Sequence, residues 1–295
     1  MMIAFLGLGT MGYLLAGRLA SAGLGVKVYN RSPDKAKRWS QEHGLTTAAT
    51  PAEASKDASV VISCLSDDEA VKSVATGKDG AFAVMAKGGV FIDHSTGSAN
   101  LARELAASAS QHGLYFLDAP VTGGKPGAAK GTLTTMIGGE KAALESVRPI
   151  IVHYAKNIFH VGPSGAGQVV KMANQICIGG IVQSMAEAFA LVEHAGLQSQ
   201  EVLEVLLTGS ARSWQMENRG PNMVRANYDF GFSVEWLAKD LSICLSQAKQ
   251  SALRLPLTQL TETTMRDLEN RGFSHEDVAA VMRVYRENLG LADGT

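Results

Sequence analysis

The chain has 295 residues, 46% of them hydrophobic and 19% charged, enough for two domains of ordinary size and a sizeable core. Its 27 basic and 28 acidic residues leave a formal net charge of -1 at pH 7, which argues against nucleic acid or an anionic membrane as the main partner and leaves room for a basic pocket that takes a small anion. Three dispersed cysteines, Cys64, Cys177 and Cys244, lie in apolar runs and read as reduced thiols of a cytoplasmic protein. The seven histidines show no ligand spacing, so no metal site is expected. The apolar start, Met1 to Leu8, is short, lacks a basic n-region and runs into a glycine motif. It reads as a strand rather than a signal peptide, and no 18-residue apolar stretch is read as a membrane span.

In chain order, residues 2–7 form a short buried strand, and Met11, Leu14, Leu15, Leu19 and Ala22 repeat at helical spacing up to Gly23, a C-cap. Residues 26–29 form a second strand. Ser32 then caps a helix that opens with Pro33. Strands follow at 59–65, 90–93 and 115–117, with helical segments such as 100–112 between them. This alternation predicts an α/β domain with a mostly parallel, doubly wound sheet. From about Gly165 the pattern changes: 169–196 is one long apolar helical stretch, and 199–208, 233–252, 255–270 and 274–289 are also helical. The Gly162-Pro163-Ser164-Gly165 cluster marks the boundary. The expected organisation is a dinucleotide-binding domain over 1–163 and an all-helical domain over 164–295, joined by the long helix. That helix carries only Lys171, Glu187 and Glu193 as charges. It packs either between the domains or across a dimer interface.

Gly7-Leu8-Gly9-Thr10-Met11-Gly12 follows the first strand and opens the first helix. In that context the first glycine permits the turn, the second admits a pyrophosphate to the backbone, and the third lets helix and strand pack closely. The helix N-terminus faces the anion. A carboxylate after the second strand would accept from the ribose 2′-OH of NAD; this chain has Asn30-Arg31-Ser32 instead. Nothing there repels a 2′-phosphate, and Arg31 can bind one, so NADP(H) is the expected cofactor with NAD(H) still usable.

With these residues placed, the chain resembles the β-hydroxyacid dehydrogenase family, which includes 3-hydroxyisobutyrate dehydrogenase and the tartronate, glyoxylate and succinic semialdehyde reductases. Four motifs carry the match: Phe5-Leu-Gly-Leu-Gly-Thr-Met-Gly12, Asp118-Ala-Pro-Val-Thr-Gly-Gly124, Gly165-Ala-Gly-Gln-Val-Val-Lys-Met-Ala-Asn174 and Lys239-Asp240-Leu241. The resemblance implies a Rossmann-type domain, a long interdomain helix, a helical domain and assembly as a homodimer or homotetramer. It implies Lys171 as the catalytic acid/base, Leu65, Ser66, Thr96 and Lys239 at the cofactor, and Trp214 and Asp240 at or near the substrate. The chain departs from the family at Thr122, where Ser is usual, at Ser66, where Pro is common, and at Asn174-Gln175, where Asn usually stands four residues after the lysine.

The chemistry suits these assignments. Hydride transfer to an aldehyde builds charge on oxygen, and Lys171, among Val169, Val170, Met172 and Ala173, is placed to supply the proton. Asn174, three residues on, shares a helical face with Lys171, and Gln175 can take part of its role. Thr122, Gly123 and Gly124 offer a hydroxyl and exposed backbone amides, a cradle for a small carboxylate-bearing substrate. Asp118 braces that turn. Lys239 and Asp240, adjacent on a helix, are expected to diverge. His94 reads as a loop or cofactor-side residue, since Lys171 holds the proton role. The expected activity is the reversible reduction of a carboxylate semialdehyde to its hydroxy acid. Two alternatives are weighed. An oxidative decarboxylase similar to 6-phosphogluconate dehydrogenase would need a histidine where Ala173 stands. A non-catalytic dinucleotide-binding scaffold would be expected to lack Lys171.

Overall fold

The computed structural model describes residues 2–229 and 231–290. Met1, Phe230 and residues 291–295, the last of these part of the expected helical domain, lie outside the described residues. The first part of the chain alternates as expected: β1 (Ile3–Leu6), α1 (Thr10–Ser21), β2 (Val26–Tyr29), α2 (Pro33–His43), α3 (Pro51–Ser55), β3 (Val60–Ser63), α4 (Asp68–Thr76), β4 (Val90–Asp93), α5 (Ala99–Gln111) and β5 (Tyr115–Asp118). All residues of β1, β3 and β4 are buried, the pattern of central parallel strands covered on both faces. Successive residues serve opposite faces. Ile3, Phe5, Ile62 and Ile92 pack with Leu15, Leu19 and Trp39, whereas Ala4, Leu6, Val61 and Phe91 pack with Val71, Leu101 and Leu105. The order β2-β1-β3-β4-β5 is wholly parallel.

Register decides where a ligand can sit. Leu6 is level with Tyr29 and with Ser63, Ser63 with Asp93, and Asp93 with Asp118. The residues that follow each strand therefore share one edge of the sheet: Gly7, Asn30, Cys64, His94 and Ala119. The strand order reverses at β1, with β2 added on one side and β3 on the other, and this is the switch point at which open α/β sheets bind ligands.

Three further strands complete the sheet and were not expected: β6 (Val121–Thr122), β7 (Leu133–Gly138) and β8 (Ala155–Gly162), with α6 (Gly124–Lys130) and α7 (Lys141–Ile151) between them. β7 runs antiparallel to β5 and β6 and parallel to β8. The reason they were missed is local. β6 has two residues, and β8 exposes much of its length, so neither makes a buried apolar run. Ser32 stands at the N-cap of α2 with Pro33 behind it, but its hydroxyl makes no capping bond.

α8 (Ala166–His194) is the long helix, and the chain divides into two compact units within it, one ending at Lys171 and the other beginning at Met172. By length and composition α8 could cross a membrane, contrary to the expectation that no 18-residue stretch is apolar enough; its Val182, Met185, Ala186 and Phe189 lie in the core of the second unit. The elements among the described residues of that unit are helical: α9 (Ser199–Thr208), α10 (Trp214–Val224), α11 (Val234–Lys249), α12 (Pro256–Asn270), a 3-10 turn (Val278–Val281) and α13 (Met282–Asn288). Gly220 and Pro221 hid α10 from the sequence reading. Gly220 packs closely on Leu203: a Cβ there would lie 2.8 Å from Leu203 Cδ1. The helix expected over 274–289 starts late because Asp277 is pinned in an extended conformation.

Asp277 is the polar centre of the second unit. Its carboxylate pairs with Arg219 at 2.9 and 3.2 Å and accepts from the amides of Phe232 and Ala279. Both side chains are buried. Removing the acid leaves a guanidinium without its counter-charge in the core, so Asp277→Ala should lower the unfolding free energy of the helical unit by about 3–5 kcal/mol. Urea denaturation measures it; a loss under about 1 kcal/mol would show that Arg219 finds other partners at little cost.

Candidate active site

The glycine loop has the geometry its sequence requires. Gly7 has φ +100°, and a Cβ there would lie 2.5 Å from Cys64 O; one on Gly12 would lie 2.0 Å from Gly7 O. Gly9 faces open space and caps α1 without any side-chain bond. Helix geometry leaves the amides of Thr10, Met11 and Gly12 without intrahelical acceptors, and Gly9 and Thr10 are exposed. The loop thus fits a pyrophosphate, with donors presented and no Cβ in the way. Two of its groups are taken within the protein: Gly7 N donates to Tyr29 O (2.8 Å), and Leu8 N donates to Asn30 Oδ1 (2.9 Å). Leu8 also buries its side chain in the core. Asn30, donating in turn to Ser32 O (3.0 Å), braces the loop and leaves Arg31 and Ser32 exposed beside it.

The loops after β3 and β4 are bound together. Leu65 N donates to Ser95 Oγ (2.9 Å), and the Leu65 side chain lies close against Gly7. Ser66 is exposed and donates to Asp67. Thr96 is half-buried between two anchored neighbours: Ser95 O accepts from Gln168 Nε2 (2.8 Å), and Gly97 N donates to Gln168 Oε1 (3.0 Å). Beneath them Asp93 Oδ1 accepts from Ser63 Oγ (2.8 Å), Ser95 Oγ (2.6 Å) and Ser95 N (3.1 Å). His94 turns inward, away from any cofactor-side role. It is buried with Nδ1 at 2.6 Å from Ala119 O and Nε2 at 2.8 Å from the Tyr154 hydroxyl. A neutral ring that donates from Nδ1 and accepts at Nε2 satisfies both contacts.

Asp118 does more than brace a turn. Its carboxylate accepts from Gly165 N (2.7 Å) and Gln168 N (3.0 Å) and so holds the start of α8. Burial pushes its pKa up, and these amides oppose the rise. Three residues after Gln168, Lys171 is 7% exposed and its Nζ donates to Val121 O at 2.9 Å. The next residues are Thr122, half-buried, and Gly123 and Gly124, both exposed with φ of +117° and +60°. The Lys171 amine and the Thr122-Gly123-Gly124 turn are therefore adjacent. The residues that sequence reasoning missed are Asp93, Ser95 and Gln168. Gln168 lies inside a motif that was singled out, but its partners are about seventy positions away.

In the second unit Asn174 Nδ2 donates to Gln175 Oε1 (2.7 Å), and Gln175 Nε2 donates to Asp240 Oδ2 (2.6 Å). Asp240 Oδ1 is 3.3 Å from Lys239 Nζ, within ion-pair range but without hydrogen-bond geometry. The adjacent pair thus converges, against expectation, because the flexible lysine stem folds back over the Trp236 ring, 5.3 Å from its centroid. Trp214 opens α10, is 52% exposed and stacks under Arg219 rather than joining these amides.

A glycine cradle at the switch point of a parallel sheet and a buried lysine beside a second cradle define a dinucleotide-binding oxidoreductase. Comparison with known proteins agrees. Residues 2–162 match the model of the NAD-binding domain of 6-phosphogluconate dehydrogenase, and residues 165–285 match that of the NAD-binding domain of NADP-dependent 3-hydroxyisobutyrate dehydrogenase. The chain is 43% identical over 260 residues to an uncharacterised oxidoreductase of Shewanella frigidimarina, covering 88% of this chain and 89% of that one. It is 35% identical to the NAD-dependent L-serine dehydrogenase of Pseudomonas aeruginosa, covering 98% and 99% of the two chains. The structure of Mycobacterium tuberculosis 3-hydroxyisobutyrate dehydrogenase with L-serine superposes with a TM-score of 0.89 at 32% identity, covering 97% of this chain and 99% of that one. The chain belongs to the 3-hydroxyisobutyrate dehydrogenase family of NAD(P)-dependent oxidoreductases.

Two buried groups under the cofactor edge titrate in opposite senses. Burial pushes Asp93 up to about 6 against its serine hydrogen bonds, and burial pulls His94 down to about 4. From about pH 4 to 6 folded Asp93 keeps a proton that the unfolded chain has lost, so its contribution to stability falls as pH rises. Over about pH 4 to 6.5 the unfolded chain holds a proton that folded His94 refuses, so that contribution rises with pH. Each amounts to about 3 kcal/mol. Relative to wild type, His94→Gln should lose stability progressively as pH rises from 4 to 6.5, and Asp93→Asn should gain it. Denaturation across that range measures both; difference profiles of the same sign would refute the assignment.

Proposed function

We propose that the chain reversibly reduces a small carboxylate-bearing semialdehyde to the hydroxy acid, with NADPH preferred and Lys171 as acid/base. The single observation behind this reading is the Lys171 Nζ to Val121 O bond of 2.9 Å, which sets a buried amine beside Thr122, Gly123 and Gly124. The amides of Gly123 and Gly124 and the Thr122 hydroxyl receive the substrate carboxylate. This holds the carbonyl oxygen toward Lys171. NADPH, when bound, supplies the hydride that reduces the carbonyl carbon. Lys171 gives a proton to the oxygen as the C–H bond forms, and the hydroxy acid leaves; in oxidation Lys171 takes that proton back. Gly9, Thr10, Met11 and Gly12 would hold the pyrophosphate, and Leu65, Ser66 and Thr96 would line the nicotinamide side.

Arg31 and Ser32, exposed beside the loop that Asn30 braces, support the preference for a 2′-phosphate. The family resemblance implies Asn174, Trp214 and Asp240 for the substrate and Lys239 for the cofactor, with Gln175 taking part of the role of Asn174. L-serine and 3-hydroxyisobutyrate, which appear in the names of the relatives, both carry a carboxylate near a hydroxyl, the pattern this cradle suits.

One panel tests the reading: kcat/KM for glyoxylate and the succinic, tartronate and methylmalonate semialdehydes, each with NADPH and NADH, in wild type and Lys171→Ala. NADPH should be the better cofactor. Lys171→Ala should lose about 10² to 10⁴-fold in kcat while still binding NADPH. Near-full kcat in the variant removes Lys171 from the mechanism, and equal or better efficiency with NADH removes the cofactor preference.

A further inference from the structure

Gln168 is buried at 2% exposure in the first turns of α8, and both ends of its side-chain amide are committed to one short loop. Nε2 donates to Ser95 O at 2.8 Å, and Oε1 accepts from Gly97 N at 3.0 Å, so the amide grips the backbone on both sides of Thr96. Ser95 extends the grip. Its Oγ donates to Asp93 Oδ1 at 2.6 Å and accepts from Leu65 N at 2.9 Å. The backbone of Gln168 is meanwhile held by Asp118 Oδ2 at 3.0 Å, and Lys171 follows on the same helix three residues on. One continuous set of hydrogen bonds therefore joins the loop after β3, the loop after β4 and the helix that carries the lysine.

We propose that Gln168 is a positioning residue that couples occupancy of the cofactor loops to the alignment of Lys171, with Ser95 as its relay to Leu65. The assignment rests on the reading of the glycine edge as the cofactor site, and its second half rests on Lys171 as acid/base. Cofactor seated against Leu65 and Thr96 rigidifies a loop that α8 holds through one buried amide, and Lys171 lies on the next turn. Such coupling is reciprocal: whatever loosens Gln168 weakens cofactor binding, and cofactor tightens the start of α8.

The test uses Gln168→Met, close in size and without donor or acceptor. NADPH affinity, read from nicotinamide fluorescence with no substrate present, should weaken about five- to tenfold. The kcat at saturating NADPH should also fall several-fold, a split that simple loss of stability does not produce. By hydrogen exchange, NADPH should protect the amides at Leu65, Gly97 and the start of α8 in wild type, and protection at α8 should disappear in the variant. Asp93→Asn, which keeps an acceptor oxygen for Ser95, should recover most of the affinity lost in Asp93→Ala. If Gln168→Met does not fold, Ser95→Ala carries the same expectations. NADPH affinity within twofold of wild type, with protection at α8 retained, would overturn the proposal. Because affinity and exchange need neither substrate nor Lys171, full turnover by Lys171→Ala would sink the acid/base reading alone and leave the link between Gln168 and the cofactor loops to stand or fall on these two readouts.

Discussion

The carboxylate of Asp118 is the fixed point of the site. It ends a central strand, is buried, and holds the amides of Gly165 and Gln168 at the start of α8. A carboxylate at a helix N-terminus gains from the orphan amides and the positive end of the dipole, which here offsets part of the cost of burial. The geometry that follows is tightly constrained. Asp118 anchors the helix, Val121 receives the Lys171 amine, and Thr122, Gly123 and Gly124, the proposed cradle, follow directly, all within one seven-residue segment. The segment that leads from β5 through β6 into α6 thus holds both the start of α8 and the Lys171 amine.

The same economy appears along the rest of the sheet edge. Gly7, Asn30, Cys64, His94 and Ala119 are level because the five parallel strands are in register. Only some of these face outward. Asn30 braces the glycine loop, His94 ties the edge to Tyr154 in the core, and Ser95 links Asp93 to Leu65. Polar groups buried just under the edge satisfy one another and the backbone amides of Leu8 and Leu65, and the amides at the start of α1 are left for a ligand.

What could be read in the sequence was what depends on near neighbours. Gly7 to Gly12 between a strand and a helix declared their turn, and the apolar runs of β1, β3 and β4 declared central strands. What could not be read depends on distant partners. Asp118 meets Gly165, and Gln168 meets Ser95, across separations of 47 and 73 positions. Local rules also failed where two tendencies compete: Pro221 and Gly220 argue against a helix whose Met216, Gly220 and Met223 are nonetheless buried. At Asn174-Gln175 the departure from the family pattern acquires a physical form. The longer Gln175 side chain reaches Asp240, and Asn174 leans on it, so both amides are fixed through one carboxylate.

The proposed reaction requires a carboxylate-bearing substrate between the Gly123–Gly124 amides and Lys171. A crystal structure of the chain with NADP+ and a hydroxy acid such as 3-hydroxyisobutyrate examines that placement directly. The carboxylate should lie within hydrogen-bond distance of those two amides and the Thr122 hydroxyl, with the substrate hydroxyl within about 3 Å of Lys171 Nζ. A substrate bound with its carboxylate on another group, or with its hydroxyl out of reach of Lys171, would contradict the account.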